Sequence, residues 1–198
     1  FVFFIALAGT LVMLRSIRRH PPKPHPPSRL PAERLWGGML SGLRFVWHAE
    51  AIFAQLLRTT AYSAAGSALW ALLPVIGQQR IGLGATGFGL LMGCLGVGAV
   101  GAGLLIGRVR ARLSHERIVR VGCVVFALAT AVAAWSPWIW LIYAALLASG
   151  AAWMAVMSTF NTATQMSAPP WVRARAAAMH ALCALGAFAI GSAVWGAL

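Results

Sequence analysis

Arg108-Val-Arg-Ala-Arg112-Leu-Ser-His-Glu-Arg117-Ile-Val-Arg120 is a knot of positive charge set between two long uncharged stretches. No charged residue occurs from Gly84 to Gly107 on one side, or from Val121 to Val172 on the other. The pattern recurs along the chain. An earlier basic gap carries Arg15, Arg18, Arg19, Lys23, Arg29, Arg34 and Arg44, and a later one carries Arg173 and Arg175. Of the 16 Lys and Arg residues, only Arg58 and Arg80 fall elsewhere. The intervening turns hold Arg80 alone in one case and no charge in the other, around Ser136-Pro137. Cytoplasmic loops retain Lys and Arg whereas translocated loops lack them, so the basic gaps mark one side of a bilayer. The chain reads as an all-α polytopic membrane protein.

Composition agrees. Hydrophobic residues make up 60% of the 198 and charged ones 10%, against roughly half and one quarter in soluble domains. Lipid must cover much of that apolar surface. The formal charge of +13 would point to nucleic acid if it lay on one polar face. Here the cations flank apolar spans, no nucleic-acid-binding motif accompanies them, and contact with anionic lipid headgroups is the simpler reading. Cys94, Cys123 and Cys183 lie far apart inside apolar stretches, without the close Cys/His spacing of metal or redox sites.

The expected spans follow from the charge gaps. The run Phe1 to Leu14 is shorter than the ~20 residues of a spanning helix and reads as the end of one. Five further spans are expected at about Ile52–Gln79, Gly84–Gly107, Ile118–Trp135, Trp138–Met166 and from Val172 onward. The uncharged run from Val121 to Val172 is too long for one crossing. Trp135-Ser-Pro-Trp138 is its natural break, because proline stops a helix and tryptophan suits the interface. The chain starts without Met and ends inside an uncharged run, so it reads as an internal piece of a longer protein.

Three regions result: 1–14, the end of a transmembrane helix; 15–50, a basic Pro-rich cytoplasmic linker; and 51–198, five transmembrane helices. In the linker, His20-Pro-Pro-Lys-Pro-His-Pro-Pro27 favours extended polyproline conformation. From Pro31 to Glu50, Leu35, Trp36, Met39, Leu40, Leu43, Val46 and Trp47 recur at helical spacing, with Arg34, Ser41, Arg44 and His48 largely opposite. This predicts an amphipathic helix, lying on the membrane face or docked on protein. In the third span, Gly89, Gly93, Gly96, Gly103 and Gly107 lie close to one helical face in small-xxx-small steps. Static packing and sliding both need such a face.

Catalysis finds no footing. The acids Glu33, Glu50 and Glu116 sit at cytoplasmic segments or helix ends, there is no Asp, and HExxH, Walker A and GxSxG motifs are absent. No catalytic residue, metal ligand or cofactor is expected. Polar residues inside spans deserve more weight, because they usually face a bundle interior or an aqueous cavity. Arg58 and Tyr62 are four residues apart on one face, with Ser63, Ser67 and Trp70 further along. Arg58 reads either as snorkelling to headgroups or as pairing with an anionic substrate or a gating partner. Ser158, Asn161, Thr162 and Gln165 form one stripe, bonding between helices or lining a pocket. His180 is well inside the last span, where it bonds a neighbouring helix or couples transport to protons.

Four segments carry a resemblance: Leu43-Arg-Phe-Val-Trp-His48, Ser67-Ala-Leu-Trp-Ala-Leu-Leu-Pro74, Gly82-Leu-Gly-Ala-Thr-Gly-Phe-Gly-Leu-Leu91 and Pro170-Trp-Val-Arg-Ala-Arg-Ala176. Together with the basic linker they resemble the major facilitator superfamily, more narrowly the branch containing the enterobactin exporter. The superfamily's signature loop Gly-x-x-x-Asp-Arg-x-Gly-Arg has a degenerate counterpart in Gly103-x-x-x-Gly107-Arg108-x-Arg110-x-Arg112, with Gly107 at the Asp position. Ala174 stands where the second turn motif commonly has Gly.

The resemblance implies the C-terminal half of a twelve-helix bundle, incomplete: the end of helix 6, the central loop and helices 7 to 11. It further implies a secondary transporter of the bacterial inner membrane, an antiporter exporting a small organic molecule such as a drug or siderophore by alternating access. Its partners would be the missing first six-helix half, the small-molecule substrate and anionic lipid, with no nucleic acid. Arg58, Tyr62, Trp70, Asn161 and Gln165 are the expected substrate-binding residues, and His180 the proton-coupling one. The alternative is a non-transporting membrane module, or a transporter remnant that acts by helix packing.

Overall fold

The computed structural model describes residues 35–75, 77 and 84–197. The expected first span, the polyproline stretch, most of the basic linker, Arg80 and the outer end of the second span lie outside the described residues. The chain divides into two compact units, residues 1–37 and 38–198, and only the second is described at length.

The described residues form six α-helices and no strand: α1 (Leu35–His48), α2 (Glu50–Val75), α3 (Ala85–Arg112), α4 (His115–Trp135), α5 (Ile139–Ser167) and α6 (Arg173–Ala197). Their ends follow local chemistry. Glu50 and Glu116 put negative charge in the first turns of α2 and α4, where the helix dipole favours it. Ser114 caps α4, its hydroxyl accepting from the Arg117 amide at 3.4 Å. The break expected at Ser136-Pro137 separates α4 from α5. Trp135, Trp138 and Trp140 there are 78%, 73% and 80% exposed, as suits an interfacial belt.

One boundary differs. Helix α3 continues past Gly107 to Arg112, so Arg108, Arg110 and Arg112 are helical and the connector to α4 is only Leu113-Ser114. Arginine is a good helix former, and cations at a helix C-terminus are favoured by its dipole.

Short connectors make α3, α4, α5 and α6 successively antiparallel, gathering the starts of α4 and α6 and the finishes of α3 and α5 at one basic end, where Gln55 and Arg58 set the start of α2 beside α4. Four helices (α3 from Thr86, α4, α5 and α6) are long and apolar enough to cross a membrane. Helix α2 is long enough at 26 residues but is not among them, carrying Glu50, Gln55 and Arg58 in its first turns. Its Gln55, Thr59, Ser63 and Ser67 are buried against protein, so this side need not be compatible with lipid. Elsewhere Val97, Val100 and Leu104 of α3 and Leu182, Leu185 and Ile190 of α6 are exposed. The chain is a multi-pass membrane bundle.

Helix α5 is the hub, packing extensively on α3 and α4, while α2 pairs mainly with α6. The α3–α5 crossing is set by two glycines. A Cβ on Gly98 would strike the Leu147 carbonyl oxygen, and one on Gly150 the Leu95 carbonyl oxygen. Backbone meets backbone in both directions, a fit only glycine allows. This corrects the glycine face expected from spacing. Gly89, Gly93, Gly96 and Gly107 have nothing within 4 Å of a built Cβ, and Gly103 meets only Met154 Cε at 3.6 Å. The contact face is chosen by where α5 offers its own gap, at Gly150. Sequence spacing within α3 carries no record of that.

Helix α1 has three sides. Gly42 and Val46 are buried, with Val46 clustering with Ile52, Leu56, Ala168, Val172 and Ala176. A Cβ on Gly42 would meet the Arg175 stem at 2.9 Å, and Arg175 Nη1 donates to Ser41 Oγ at 3.1 Å. Phe45 meets Trp171 edge-on, ring centroids 5.3 Å apart. Leu40, Leu43 and Trp47 form a second, exposed apolar stripe, and Ser41, Arg44 and His48 a polar third.

Candidate functional site

Tyr62, Gly66 and Trp70 follow one another at single-turn spacing on α2. The missing side chain at Gly66 is what shapes the site. A Cβ there would collide with the ring of Trp153 from α5, so the indole lies over bare backbone between the two aromatic neighbours. Tyr62 stacks on Trp153 with centroids 5.1 Å apart, and Trp70 meets it at 4.6 Å. Phe126 of α4 closes one side, 5.7 Å from both Tyr62 and Trp153. Phe160 approaches Tyr62 edge-on at 6.0 Å, and Phe188 of α6 approaches Trp70 at 5.4 Å. Four helices therefore meet in one aromatic cluster.

The Tyr62 hydroxyl, on a ring of the cluster, is buried without a hydrogen-bond partner, as is Ser63 Oγ on the adjoining residue of α2. Nearly all buried polar groups have one, so orphans here mark a spot suited to a polar ligand group. Trp153 escaped the sequence reading. Its signal was available: an indole in mid-span, two turns before Phe160, far from the interface where tryptophan usually sits.

Toward the basic end the cluster opens into a cleft of about 610 Å³. Gln55 and Arg58 of α2 face His115, Glu116, Val119 and Arg120 of α4 across it. Thr159, Phe160 and Ala163 of α5 form the remaining wall, so Phe160 borders both cleft and cluster. Arg120 is paired with Glu116 at 2.6 Å, an exposed bond of the kind that adds little stability. Arg58 is exposed and has no ion pair with any described residue.

The expected site residues fall into three places. Arg58, Tyr62 and Trp70 line up along the cleft and the aromatic cluster. Asn161 and Gln165 pair with each other, Gln165 Nε2 donating to Asn161 Oδ1 at 2.8 Å, on an outer face of α5 apart from the cleft. Ser158 of the same stripe accepts from Arg110 Nη2 at 3.0 Å. His180 is buried between α6 and α2, with Nδ1 3.3 Å from Thr59 Oγ1. The Thr59 hydroxyl already donates to the Gln55 carbonyl oxygen at 2.9 Å. Its one proton being spent there, Thr59 accepts from His180, which puts an imidazole proton on Nδ1. Among the described residues no group of three or more His, Cys, Asp or Glu could hold a metal ion.

The family whose members are described as transmembrane secretion effectors matches residues 1–198. No curated protein and no solved structure matches the chain.

Proposed function

We infer from one premise, that the chain belongs to the transmembrane secretion effector family, that it forms part of a secondary active exporter. That family is of the major facilitator type, and its members are membrane transporters. The finer reading is an antiporter of the bacterial inner membrane, similar to the enterobactin-exporter branch. In it the chain supplies the end of helix 6, the central loop and helices 7 to 11, and meets a first six-helix half. The cargo is a small organic molecule such as a drug or siderophore. Transport rather than catalysis is what the helices and the family support.

The observation that carries the site is the aromatic cluster with its unpartnered polar atoms. Tyr62 and Trp70 offer flat apolar surface, the Tyr62 hydroxyl a polar contact, and Arg58 a charge at the basic mouth. Asn161 and Gln165 lie on an outward face and would line the path only against the companion half. In alternating access the two halves rock about a central site, and His180 would couple that motion to protons through its bond to Thr59.

The test is export by the complete protein of labelled siderophores and cationic drugs, with and without a proton gradient. Gradient-dependent efflux is expected. Arg58→Ala should weaken it by about ten-fold for an anionic cargo, the order of one lost hydrogen bond to a charged group. No gradient-driven movement of any cargo would sink the exporter reading. Efflux with an unaltered pH profile after His180→Ala would remove His180 from the coupling step alone.

A further inference from the structure

The cleft between α2, α4 and α5 holds a charge imbalance of which the exporter reading uses only Arg58. Glu116 is its one acid and is occupied by Arg120 at 2.6 Å. That leaves the Arg58 guanidinium without a counter-charge among the described residues. The start of α4 adds the positive end of a helix dipole to the same space. An independent feature points the same way. Gln55 lines the cleft, is only 7% exposed, and its Nε2 is buried with no hydrogen-bond partner. A buried amide donor beside an unpaired guanidinium calls for an acceptor that carries negative charge. Of the rest of the lining, His115 and Thr159 are polar while Val119, Phe160 and Ala163 offer apolar surface.

We propose that this cleft binds an oxyanion attached to an apolar body, a phosphate ester or a carboxylate, with Arg58 and the Gln55 amide as its donors. The guanidinium takes two oxygens of the anion side by side, while the amide reaches a third acceptor atom. The apolar remainder rests on Val119 and Phe160. Such an anion arrives either as the headgroup of an anionic phospholipid in the leaflet at the basic end, or as a soluble solute. The proposal shares Arg58 with the reading above, but it is a statement about binding and needs no transport.

The test uses the purified complete protein in neutral detergent, titrated with short-chain phosphatidylglycerol, short-chain phosphatidylcholine and inorganic phosphate. Dissociation constants come from thermal-shift titration, with native mass spectrometry to count bound lipid. Phosphatidylglycerol should bind at least ten-fold more tightly than phosphatidylcholine. Arg58→Gln should erase that preference, as should Gln55→Glu, which keeps the side-chain shape while replacing the donor with a like charge. Arg117→Gln, on the same helix as Arg120 but outside the cleft, should leave it unchanged. Arg58 is exposed, so its variant should unfold at the wild-type temperature when ligand-free, separating lost binding from lost fold. Displacement of phosphatidylglycerol by inorganic phosphate assigns the site to a soluble oxyanion, and its failure assigns it to the lipid. Equal affinity for the two lipids, or an equal loss in Arg117→Gln, overturns the proposal in favour of diffuse charge attraction. Binding with no export by the complete protein would instead leave this site standing and remove the transport reading.

Discussion

Gly66 matters for what it lacks. A β-carbon at this position would collide with Trp153 Cζ3 at the edge of the indole, so even a small side chain must displace the indole from between Tyr62 and Trp70. Gly66→Ala should therefore destabilise the fold by about 1–3 kcal/mol, the usual range for overpacking a tight core. Thermal unfolding in detergent reads this, and an unchanged midpoint would mean that Trp153 has room to move. The same position shows what a one-dimensional reading misses. Tyr62 and Trp70 announce themselves by spacing, but the indole that joins them lies on another helix, and the glycine between them resembles any other.

Between elements, geometry is decided by pairs of backbones. Gly98 and Gly150 let α3 and α5 touch carbonyl to Cα, whereas Gly93 faces open space among the described residues. Gly98→Leu should lower the stability of the described bundle by several degrees in the unfolding midpoint, and Gly93→Leu should leave it nearly unchanged. Equal effects would mean that the α3–α5 crossing is misassigned. Helix α1 makes a similar point. Its pattern in the sequence left two partners open, membrane or protein. The buried Gly42 and Val46 are docked on the bundle, yet Leu40, Leu43 and Trp47 remain exposed beside the polar Ser41, Arg44 and His48. A helix so divided suits the line where protein, lipid and water meet. A nitroxide attached at residue 43 should therefore be accessible to oxygen dissolved in lipid, and one at residue 44 to a water-soluble relaxant. The opposite order would detach this stripe from the membrane.

At the scale of the whole molecule, the charge pattern makes the broadest commitment. Single cysteines introduced at Ser41, Leu113 and Trp171 should all react with an impermeant thiol reagent from the cytoplasmic side, in a background lacking Cys94, Cys123 and Cys183. One at Ser136 should react from the other side. Labelling of Leu113 and Trp171 from opposite sides would break the topology.

Among the described residues, the sequence alone determined the order of the helices, the break at Ser136-Pro137 and the gathering of the arginines at one end of the bundle. Those are one-dimensional matters: a span needs a certain length of apolar chain, and a retained loop needs positive charge, and neither depends on what lies beside it. Only the tertiary structure decided which glycines let helices touch, and that Trp153 joins Tyr62 and Trp70 while Asn161 and Gln165 turn elsewhere. It also revealed that Gln55 and Arg58 open into a shared cleft with α4. Contacts between helices depend on rotation and offset about each axis. A rotation of a few tens of degrees exchanges one face for another without altering hydrophobicity or charge along the chain.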